Sequence, residues 1–168
     1  MKIKLIAAMD LNRCIGCKGR LPWSIPSEMA YFKEKTIGKG NNAVVMGRRT
    51  WDSLGGKPLK NRQNVILSQN LDIRREIAAK FTEPYTASNI HSVLELARMR
   101  DDVWIIGGAE IYKLFLTSGV LDEIIISQIH QVYEGDTYFP HIPRDGWRVR
   151  VGSDHRGVGF TTFNLMRK

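Results

Sequence analysis

The chain has 168 residues, of which 43% are hydrophobic and 25% are charged, and these proportions are ordinary for one folded globular domain. The net charge is +8, but the basic residues are dispersed and cluster no more tightly than in pairs such as Arg48-Arg49, which argues against nucleic-acid binding and favours steering of a small anionic ligand. Lys2 and Lys4 interrupt the apolar start of the chain, which is too short to cross a bilayer, so we expect a cytoplasmic protein without a membrane segment.

The predicted elements of the first half alternate between strands and helices. Residues 2–9 read as a buried strand, and residues 10–25 form a long loop that contains Gly16, Gly19 and Pro22 and is followed by Pro26. A helix follows over 27–36, with Ser27 as its N-cap. Next come a strand at 43–47, a brief helix at 49–54, a turn at 55–58 and a strand at 64–68.

The second half ends in a run of strands. Its predicted elements are a helix at 89–99, an apolar strand at 103–106, a helix at 109–118 stopped by Gly119, and strands at 123–129, 147–151 and 160–166. The early alternation implies parallel crossovers, and the later strands imply antiparallel additions. The predicted fold is therefore α/β, a single domain with a central mixed, mostly parallel sheet of about eight strands flanked by about four helices.

Glu28 is the first candidate for a functional side chain. It lies on the first predicted helix in a stretch otherwise nearly free of charge, and it shares a helical face with Tyr31 and Phe32. A carboxylate among large apolar groups titrates abnormally or binds a specific partner. The alternative, a solvated glutamate favoured by the helix dipole, stays open on these residues alone.

The two cysteines form the segment Cys14-Ile15-Gly16-Cys17. Such a pair can be a redox couple or half of a zinc site, but no second pair exists and the four histidines lack ligand spacing. The chain continues as a loop, without a helix start that would lower a thiol pKa. We expect two reduced loop cysteines and no metal.

Two strand-to-helix junctions are suited to phosphate. At Gly47-Arg48-Arg49-Thr50 a strand delivers two guanidinium groups and a hydroxyl to a helix start. At Gly107-Gly108-Ala109 the glycines let a diphosphate approach the backbone. Neither segment is a Gly-x-Gly-x-x-Gly or Walker motif, and a tight turn is the commoner role of paired glycines. Two such junctions in one small domain still favour a phosphate-rich ligand.

The whole chain resembles the dihydrofolate reductase family. The matching segments, in the family order, are Ile6-Ala7-Ala8-Met9, Ile15-Gly16, Leu21-Pro22-Trp23 with the acid two beyond Pro26, Met46-Gly47-Arg48-Arg49-Thr50-Trp51, Pro58-Leu59-Lys60-Asn61-Arg62-Gln63-Asn64, Ile105-Ile106-Gly107-Gly108-Ala109-Glu110-Ile111-Tyr112 and Glu134-Gly135-Asp136-Thr137-Tyr138-Phe139-Pro140. The resemblance implies one family-like domain over residues 1–168, with an adenosine-binding subdomain at roughly 40–102.

The resemblance also implies a reaction, the NADPH-dependent reduction of 7,8-dihydrofolate to 5,6,7,8-tetrahydrofolate, with hydride to C6 and a proton to N5. Glu28 would be the only ionisable group in the pterin pocket, and it would favour N5 protonation directly or through water near Trp23. Residues 10–25 would be a lid over the nicotinamide. The implied partners are dihydrofolate and antifolate inhibitors such as trimethoprim, and we expect a monomer.

Carried over residue by residue, the resemblance assigns three groups of site residues. The catalytic group comprises Glu28, Trp23, Leu21, Ser127 and Tyr112. The substrate-binding group comprises Ile6, Glu28, Met29, Phe32, Leu54, Lys57, Leu59, Arg62, Ile106 and Ser127, and Arg62 would grip the glutamate α-carboxylate. The NADPH-binding group comprises Ala8, Cys14, Ile15, Gly16, Gly19, Arg20, Leu21, Gly47, Arg48, Arg49, Thr50, Leu67, Ser68, Gln69, Gly107, Gly108, Ala109, Glu110, Ile111, Tyr112 and Thr137.

Three positions depart from the usual family pattern. Ser127 stands where Thr is frequent, which keeps a hydroxyl for Glu28 but loses the methyl that restricts its rotamer. Glu28 itself replaces the Asp of many bacterial relatives, so affinity for diaminopyrimidine inhibitors is expected to differ. Glu110 stands where a basic residue often helps the diphosphate, and we expect it to turn outward and pair with Lys113.

Two other functions fit parts of the sequence. The pyrimidinone reductase of riboflavin synthesis shares the fold and cofactor, but the segment from Trp23 to Phe32 argues against it. A basic nucleic-acid or assembly protein could have kept the fold as a scaffold, because fold does not fix function.

Overall fold

The structure of the chain, a computed structural model, describes residues 1–143, 145–155 and 159–168. Its strands are β1 (Lys2–Met9), β2 (Cys14–Gly16), β3 (Ala43–Met46), β4 (Gln63–Leu67), β5 (Tyr85–Ala87), β6 (Asp102–Gly107), β7 (Glu123–Ile129), β8 (Thr137–Tyr138), β9 (Trp147–His155) and β10 (Phe160–Arg167). Its helices are α1 (Pro26–Ile37), α2 (Arg48–Ser53), α3 (Leu71–Lys80), α4 (Ile90–Leu96) and α5 (Ala109–Ser118).

Eight strands form the central sheet, in the order β5-β4-β3-β6-β1-β7-β10-β9. The first six in this order run parallel to one another, and β10 and β9 add antiparallel at one edge. The predicted α/β class and mixed, mostly parallel sheet of about eight strands are therefore confirmed. A separate two-stranded sheet, β2 with β8, lies within segments that we expected to be loop.

Five helices are found in the described ranges, one more than predicted. The additional helix is α3, whose side chains are exposed or half-buried except for Ile77, so its sequence carries almost no apolar period. Its start is fixed by Asn70, whose side-chain oxygen accepts hydrogen bonds from the backbone N–H groups of Asp72 and Ile73. None of the described helices is both long enough and apolar enough to span a membrane.

The start of α1 differs from the prediction in a way that matters for Glu28. The helix begins at Pro26 with Ile25 as N-cap, and Ser27 is not the cap. Proline is favoured at the first helical position because its fixed φ suits the helix and its missing N–H would have no partner there. Glu28 consequently lies in the first turn, on the face that packs against the sheet.

The core lies on both faces of the parallel strands. Alternate residues of β1 point to opposite faces, so Leu5 joins one apolar cluster with Phe115 and Ile6 joins the other with Trp51. Strand β6, between β3 and β1, is buried from Val103 through Gly107, as expected for a central strand. The predicted end of α5 is confirmed, because Gly119 has φ +77°, a left-handed conformation that suits glycine.

The carboxyl ends of β3, β6, β1 and β7 meet at one edge of the sheet. The register pairs Met46 with Gly107 and Ala8 with Ser127, so the loops that leave these strands start side by side. Parallel α/β sheets bind ligands at this edge, in the crevice beyond the carboxyl ends. Helices α2 and α5 begin at this edge, and the lid segment follows β1 there.

Candidate active site at the carboxyl edge of the sheet

Glu28 is a buried carboxylate at this edge, with only 4% of its surface exposed. Burial raises the pKa of its carboxyl group, and the nearby Ser127 hydroxyl offsets part of that rise. The Ser127 oxygen is itself buried and lies outside full hydrogen-bonding geometry with any group in the described ranges. No Lys, Arg or His in those ranges forms an ion pair with Glu28. The acid is thus available for a ligand.

Trp23, at the end of the lid segment, packs in a small cluster with Tyr31 of α1, the helix that carries Glu28. Its ring lies 5.4 Å from the Tyr133 ring between centroids, and Ala8 and Tyr31 pack on the same small cluster. Its indole Nε1 is buried without a hydrogen-bond partner among the described groups. Leu21, predicted to be catalytic, is 47% exposed at the mouth of the lid.

Tyr112 connects α5 to the centre of the sheet. Its hydroxyl donates a 2.9 Å hydrogen bond to the Ile6 carbonyl oxygen, which keeps its second lone pair. Burial, with a smaller contribution from the charge of Glu28, raises the pKa of Tyr112, so the phenol stays protonated. A side chain at Gly107 would approach the Tyr112 ring to 3.0 Å, and Gly107 has φ +110°, so glycine is required there.

An apolar wall leads away from Glu28. Phe32, Leu54 and Leu59 are half-buried and pack against one cluster that includes Ile6 and Ile106. Two other residues predicted to bind substrate, Met29 and Lys57, are exposed. The structure therefore brings together the three residues that were predicted to line a benzoyl channel, and it leaves Met29 and Lys57 outside this packed wall.

Arg62 is held at the far end of this wall. Its Nη1 donates to the Thr36 hydroxyl at 2.8 Å and its Nε to the Lys60 carbonyl at 3.0 Å. Desolvation lowers the pKa of the guanidinium, and no carboxylate in the described ranges pairs with it. The loop that carries it is braced by fully buried Asn64, whose amide donates 2.9 Å hydrogen bonds to the carbonyls of Leu59 and Arg62.

The two predicted phosphate junctions adjoin one another. The Gly47 N–H donates a 2.7 Å hydrogen bond to the Gly107 carbonyl. A side chain at Gly108 would come within 3.5 Å of the Thr50 hydroxyl, and one at Gly47 within 3.0 Å of Ile111. The missing side chains leave a cradle beside the first N–H groups of α5, the kind of site that holds a diphosphate.

The two arginines of the first junction are not equivalent. Arg48 is engaged by acids, with its Nε 2.8 Å from Asp52 and its Nη1 3.3 Å from Glu76, and these bonds raise its pKa. Arg49 is exposed and forms no ion pair in the described part of the chain. The sequence offered both as equal ligands for a phosphate, whereas the structure leaves Arg49 as the less encumbered cation.

The lid is more structured than the predicted loop. Its strand β2 pairs with β8, and the exposed Asp136 accepts a 2.9 Å hydrogen bond from the Lys18 N–H while donating its own N–H to the Gly16 carbonyl. Cys14 is fully buried, and burial raises the pKa of its thiol. Both cysteines are free, as predicted.

The other predicted residues divide by exposure. Gly16, Ile15, Ser68, Ala109 and Thr137 are half-buried near the junctions and lid, Leu67 is buried, and Gly19, Arg20, Gln69 and Glu110 are exposed. Glu110 does turn outward, but the expected ion pair with Lys113 is absent from the described contacts. Both side chains are exposed, and water solvates them well without pairing.

Three residues whose contacts help to form this region were not assigned a role from the sequence. They are Asp10, fully buried after β1; Tyr133, whose ring packs at a tilt against Trp23; and Asp136, which holds the lid. Asp10 and Asn12 follow a strand, a pattern that favours side-chain to backbone turns, and this was the available signal.

Two grooves lie outside the acid's cleft. One, of about 650 Å³, is at the opposite, amino-terminal edge and is lined by Lys4, Asp102 and Glu123 among others, charges that neutralise one another. The second, of about 280 Å³, is lined by Arg48, Trp51 and Phe81 beside the first junction. No three potential metal ligands group closely enough in the described ranges to hold an ion.

The residues at the carboxyl edge fit the dinucleotide that the family resemblance implies. Gly107 and Gly108 leave room where side chains would otherwise fill the turn, and Thr50 adds a hydroxyl donor beside it. Arg49 supplies an uncommitted cation for a phosphate. The chemistry of this donor set therefore suits an anionic, phosphate-bearing cofactor.

Comparison with known proteins agrees with this arrangement. A family model described as dihydrofolate reductase matches residues 2–162. A dihydrofolate reductase of Neisseria gonorrhoeae is 35% identical over 172 residues, covering 100% of this chain and 99% of that protein. One from Bacillus subtilis strain 168 is 33% identical over 147 residues, covering 88% of this chain and 80% of that protein. The solved dihydrofolate reductase of Enterococcus faecalis, complexed with NADP(H) and RAB-propyl, superposes with a TM-score of 0.80 at 28% identity, covering 99% of this chain and 96% of that one.

Proposed function

Because this chain belongs to the dihydrofolate reductase family, we propose that its cleft binds 7,8-dihydrofolate with the pterin on Glu28 and reduces it to 5,6,7,8-tetrahydrofolate. The observation that carries this proposal is a buried carboxylate without a basic partner among the described residues, beside Ser127 at the sheet edge where the two phosphate turns adjoin. NADPH, when bound, supplies the hydride that is delivered to C6 of the pterin.

Glu28 has two tasks in this proposal. Its two oxygens match the adjacent N–H donors of a pterin amide and 2-amino group, a bidentate arrangement that orients the ring. Burial raises the pKa of its carboxyl group, so the group binds a proton more readily near neutral pH than an exposed glutamate does. It therefore favours protonation at N5, and the bulky Trp23 beside the cleft limits access of bulk water.

The rest of the substrate follows the apolar wall. Phe32, Leu54 and Leu59 present a surface wide enough for a benzoyl ring. Arg62, prepositioned by Thr36 and free of carboxylate partners among the described residues, pairs with the α-carboxylate of the glutamate tail. Exposed Lys57 adds positive charge at the same end.

The cofactor side is divided between the two junctions and the lid. Gly107, Gly108 and Thr50 would hold the diphosphate, and Arg49 with Ser68 would meet the 2′-phosphate. Ala8 and Ile15 would hold the nicotinamide carboxamide. The family resemblance implies these roles, and the positions of the residues in the structure support them.

We also propose that the protein acts as a monomer, because the residues assigned above can form the complete site within one chain. A cytoplasmic location is part of the same proposal. The adenosine-binding subdomain over roughly 40–102 stays a prediction. Light scattering after gel filtration tests the monomer, with a mass near twice that of the chain as the contrary result.

The direct test of the function is the loss of absorbance at ~340 nm when NADPH and dihydrofolate are mixed with the protein. We expect oxidation that needs both substrates and is much faster with NADPH than with NADH. No oxidation with dihydrofolate would overturn the proposal. Oxidation with a pyrimidinone substrate of riboflavin synthesis instead would assign the alternative reductase, and salt-sensitive RNA binding without oxidation would assign a scaffold role.

A further inference from the structure

Asp10 is a buried acid with an unusual set of partners. It follows β1 directly and is fully buried, yet it pairs with no Lys, Arg or His in the described ranges. Its carboxylate accepts three backbone hydrogen bonds, from Asn12 at 2.8 Å and Cys14 at 2.7 Å on Oδ1, and from Tyr133 at 2.8 Å on Oδ2. One side chain thus joins two loops that are 123 residues apart.

The first oxygen of Asp10 fixes the root of the lid. Cys14 begins β2, and its carbonyl in turn accepts the Asp10 N–H at 3.0 Å, so the turn is closed from both sides. Ile15 follows Cys14 directly in β2, and Ala8 precedes Asp10 by two residues at the end of β1. These two residues are the ones proposed above to meet the nicotinamide, and the bonds between Asp10 and Cys14 link the two segments that carry them.

The second carboxylate oxygen of Asp10 holds the backbone of Tyr133, which packs beside Trp23. Tyr133, whose N–H it accepts, lies 5.4 Å from Trp23 between ring centroids, and both rings pack in one cluster with Ala8. Tyr31 joins the same cluster from α1, the helix that also carries Glu28. A shift of Tyr133 would therefore disturb the Trp23 indole and its packing beside that helix.

We infer that Asp10 is a positioning residue for hydride transfer, acting through Ile15 on the nicotinamide and through Tyr133 on Trp23. This inference rests on the proposed function. It distinguishes Asp10 from Asp136, which holds Lys18 from an exposed position near the lid tip and can release it to water. The hydrogen bonds of Asp10 at the base of the lid should therefore stay closed longer than that of Asp136 near the lid tip, since buried hydrogen bonds open far less often than exposed ones.

The competing account is that Asp10 only satisfies buried backbone groups and so stabilises the fold. The two accounts differ in what the folded variant does. A structural role lowers the melting temperature and leaves the folded enzyme's rate constants intact, whereas a positioning role changes hydride transfer and nicotinamide binding in protein that is still folded.

The first experiment compares Asp10→Asn with Asp122→Asn. Asparagine keeps the size of Asp10 and one accepting oxygen but must turn an NH₂ group toward one of the two loops. Asp122 is the control for loss of a carboxylate-to-backbone hydrogen bond, because it accepts one from Ile3 at 2.8 Å from an exposed position at the amino-terminal edge. Hydride transfer is measured in a single turnover, and dissociation constants are measured for NADPH, for adenosine 2′,5′-bisphosphate and for dihydrofolate.

For folded Asp10→Asn we expect hydride transfer to fall roughly 10-fold or more, as displacement of reacting groups predicts. NADPH should bind roughly 10-fold more weakly, whereas the bisphosphate, which does not reach the lid, should bind unchanged. Dihydrofolate affinity should stay within about twofold, since no contact proposed for it is lost. Asp122→Asn should match the native protein in all of these. Equal rates and equal NADPH binding in the two variants would overturn the inference.

Hydrogen exchange in the native protein keeps the inference testable if Asp10→Asn does not fold. The amide protons of Cys14 and Tyr133 should exchange at least roughly 10-fold more slowly than that of Lys18. Equal exchange rates for the three amides would mean that the hydrogen bonds to Asp10 open together with the lid tip, and the inference would be wrong. The proposed function is tested separately. It would be overturned if the native protein oxidised no NADPH with dihydrofolate, whatever the exchange rates of these amides.

Discussion

The two edges of the parallel sheet both bury charge, and they do so in different ways. At the amino-terminal edge the Lys4 ammonium lies 2.8 Å from Asp102 and 3.6 Å from Glu123, and it covers the Trp104 ring at 5.1 Å. At the carboxyl-terminal edge Glu28 is more deeply buried but has no basic partner in the described ranges, only the Ser127 hydroxyl.

The difference separates charges that serve the fold from charges that serve a ligand. A buried ion recovers its lost hydration only through partners, so a chain that keeps an unpaired one bears a cost in stability. A groove of about 650 Å³ also lies at the paired edge, so a groove alone does not mark the active site. Uncharged buried atoms without a partner among the described groups occur at both edges, and Trp104 Nε1 and Asn164 Oδ1 belong to residues that line this groove. An unpaired buried carboxylate is the better guide.

The largest effect is expected from Glu28→Gln. This change removes the ionisable group of the cleft and should lower kcat at pH 7 by roughly 10²- to 10³-fold, the range for loss of a general acid. The matched control is Glu123→Gln at the paired edge, for which kcat should stay within about twofold. Similar losses of kcat in both variants would show that the two edges do not differ in their importance for catalysis. Steady-state NADPH oxidation provides the measurement.

Arg62→Ala should have the next largest effect. It removes a half-buried guanidinium that no acid within the described ranges neutralises, and a charge-assisted hydrogen bond of about 1.5–3 kcal/mol is lost with it. The KM for dihydrofolate should rise roughly 10- to 100-fold with a smaller change in kcat. Dihydropteroate, which lacks the glutamate tail, supplies the control, because its KM should be the same for the variant and the native protein. A parallel rise for both substrates would exclude the proposed carboxylate contact.

Replacing both Arg48 and Arg49 by Ala should weaken NADPH binding roughly 10-fold or more and NADH binding little, since only NADPH carries the 2′-phosphate. The structure sharpens this expectation. Because Asp52 and Glu76 already engage Arg48, Arg49→Ala alone should account for most of the loss. Fluorescence titration with each cofactor checks this, and a larger loss from Arg48→Ala would show that the acids release Arg48 to the phosphate.

Lys4→Met should have the smallest effect on activity and a measurable one on stability. It leaves Asp102 and Glu123 without their cation in a partly buried setting, at a cost of about 1–2 kcal/mol in the free energy of unfolding. Urea unfolding gives the stability change, and kcat and both KM values should be unchanged. A loss of turnover in folded protein would show that the paired edge also takes part in catalysis.

Much of this architecture could be predicted from the sequence, because it is written in local patterns. The buried strands and the stop at Gly119 follow from apolar runs and from glycine's tolerance of positive φ. Helix α3 was missed because only Ile77 on it is buried. Ser27 was preferred over the Pro26 start although proline at the first helical position is itself a signal.

The positions of several predicted site residues in the fold followed from the sequence, and their pairings did not. The burial of Glu28 and the adjacency of the glycine turns match the expectation, since both follow from one helix face and one sheet edge. The engagement of Arg48 by Glu76 depends on α3, and the Asp10 bond to Tyr133 joins residues 123 apart. Contacts of that kind depend on tertiary packing, which no local pattern encodes.

The pH dependence of single-turnover hydride transfer tests the central claim most directly. Since burial raises the pKa of Glu28, the native rate should be high while the group is protonated and should fall as pH rises through that raised pKa. Glu28→Gln should lose this inflection and show only the slope set by protonation of the substrate in solution. If both proteins showed the same inflection, Glu28 would not govern proton delivery, and the account of the unpaired edge as the active site would be contradicted.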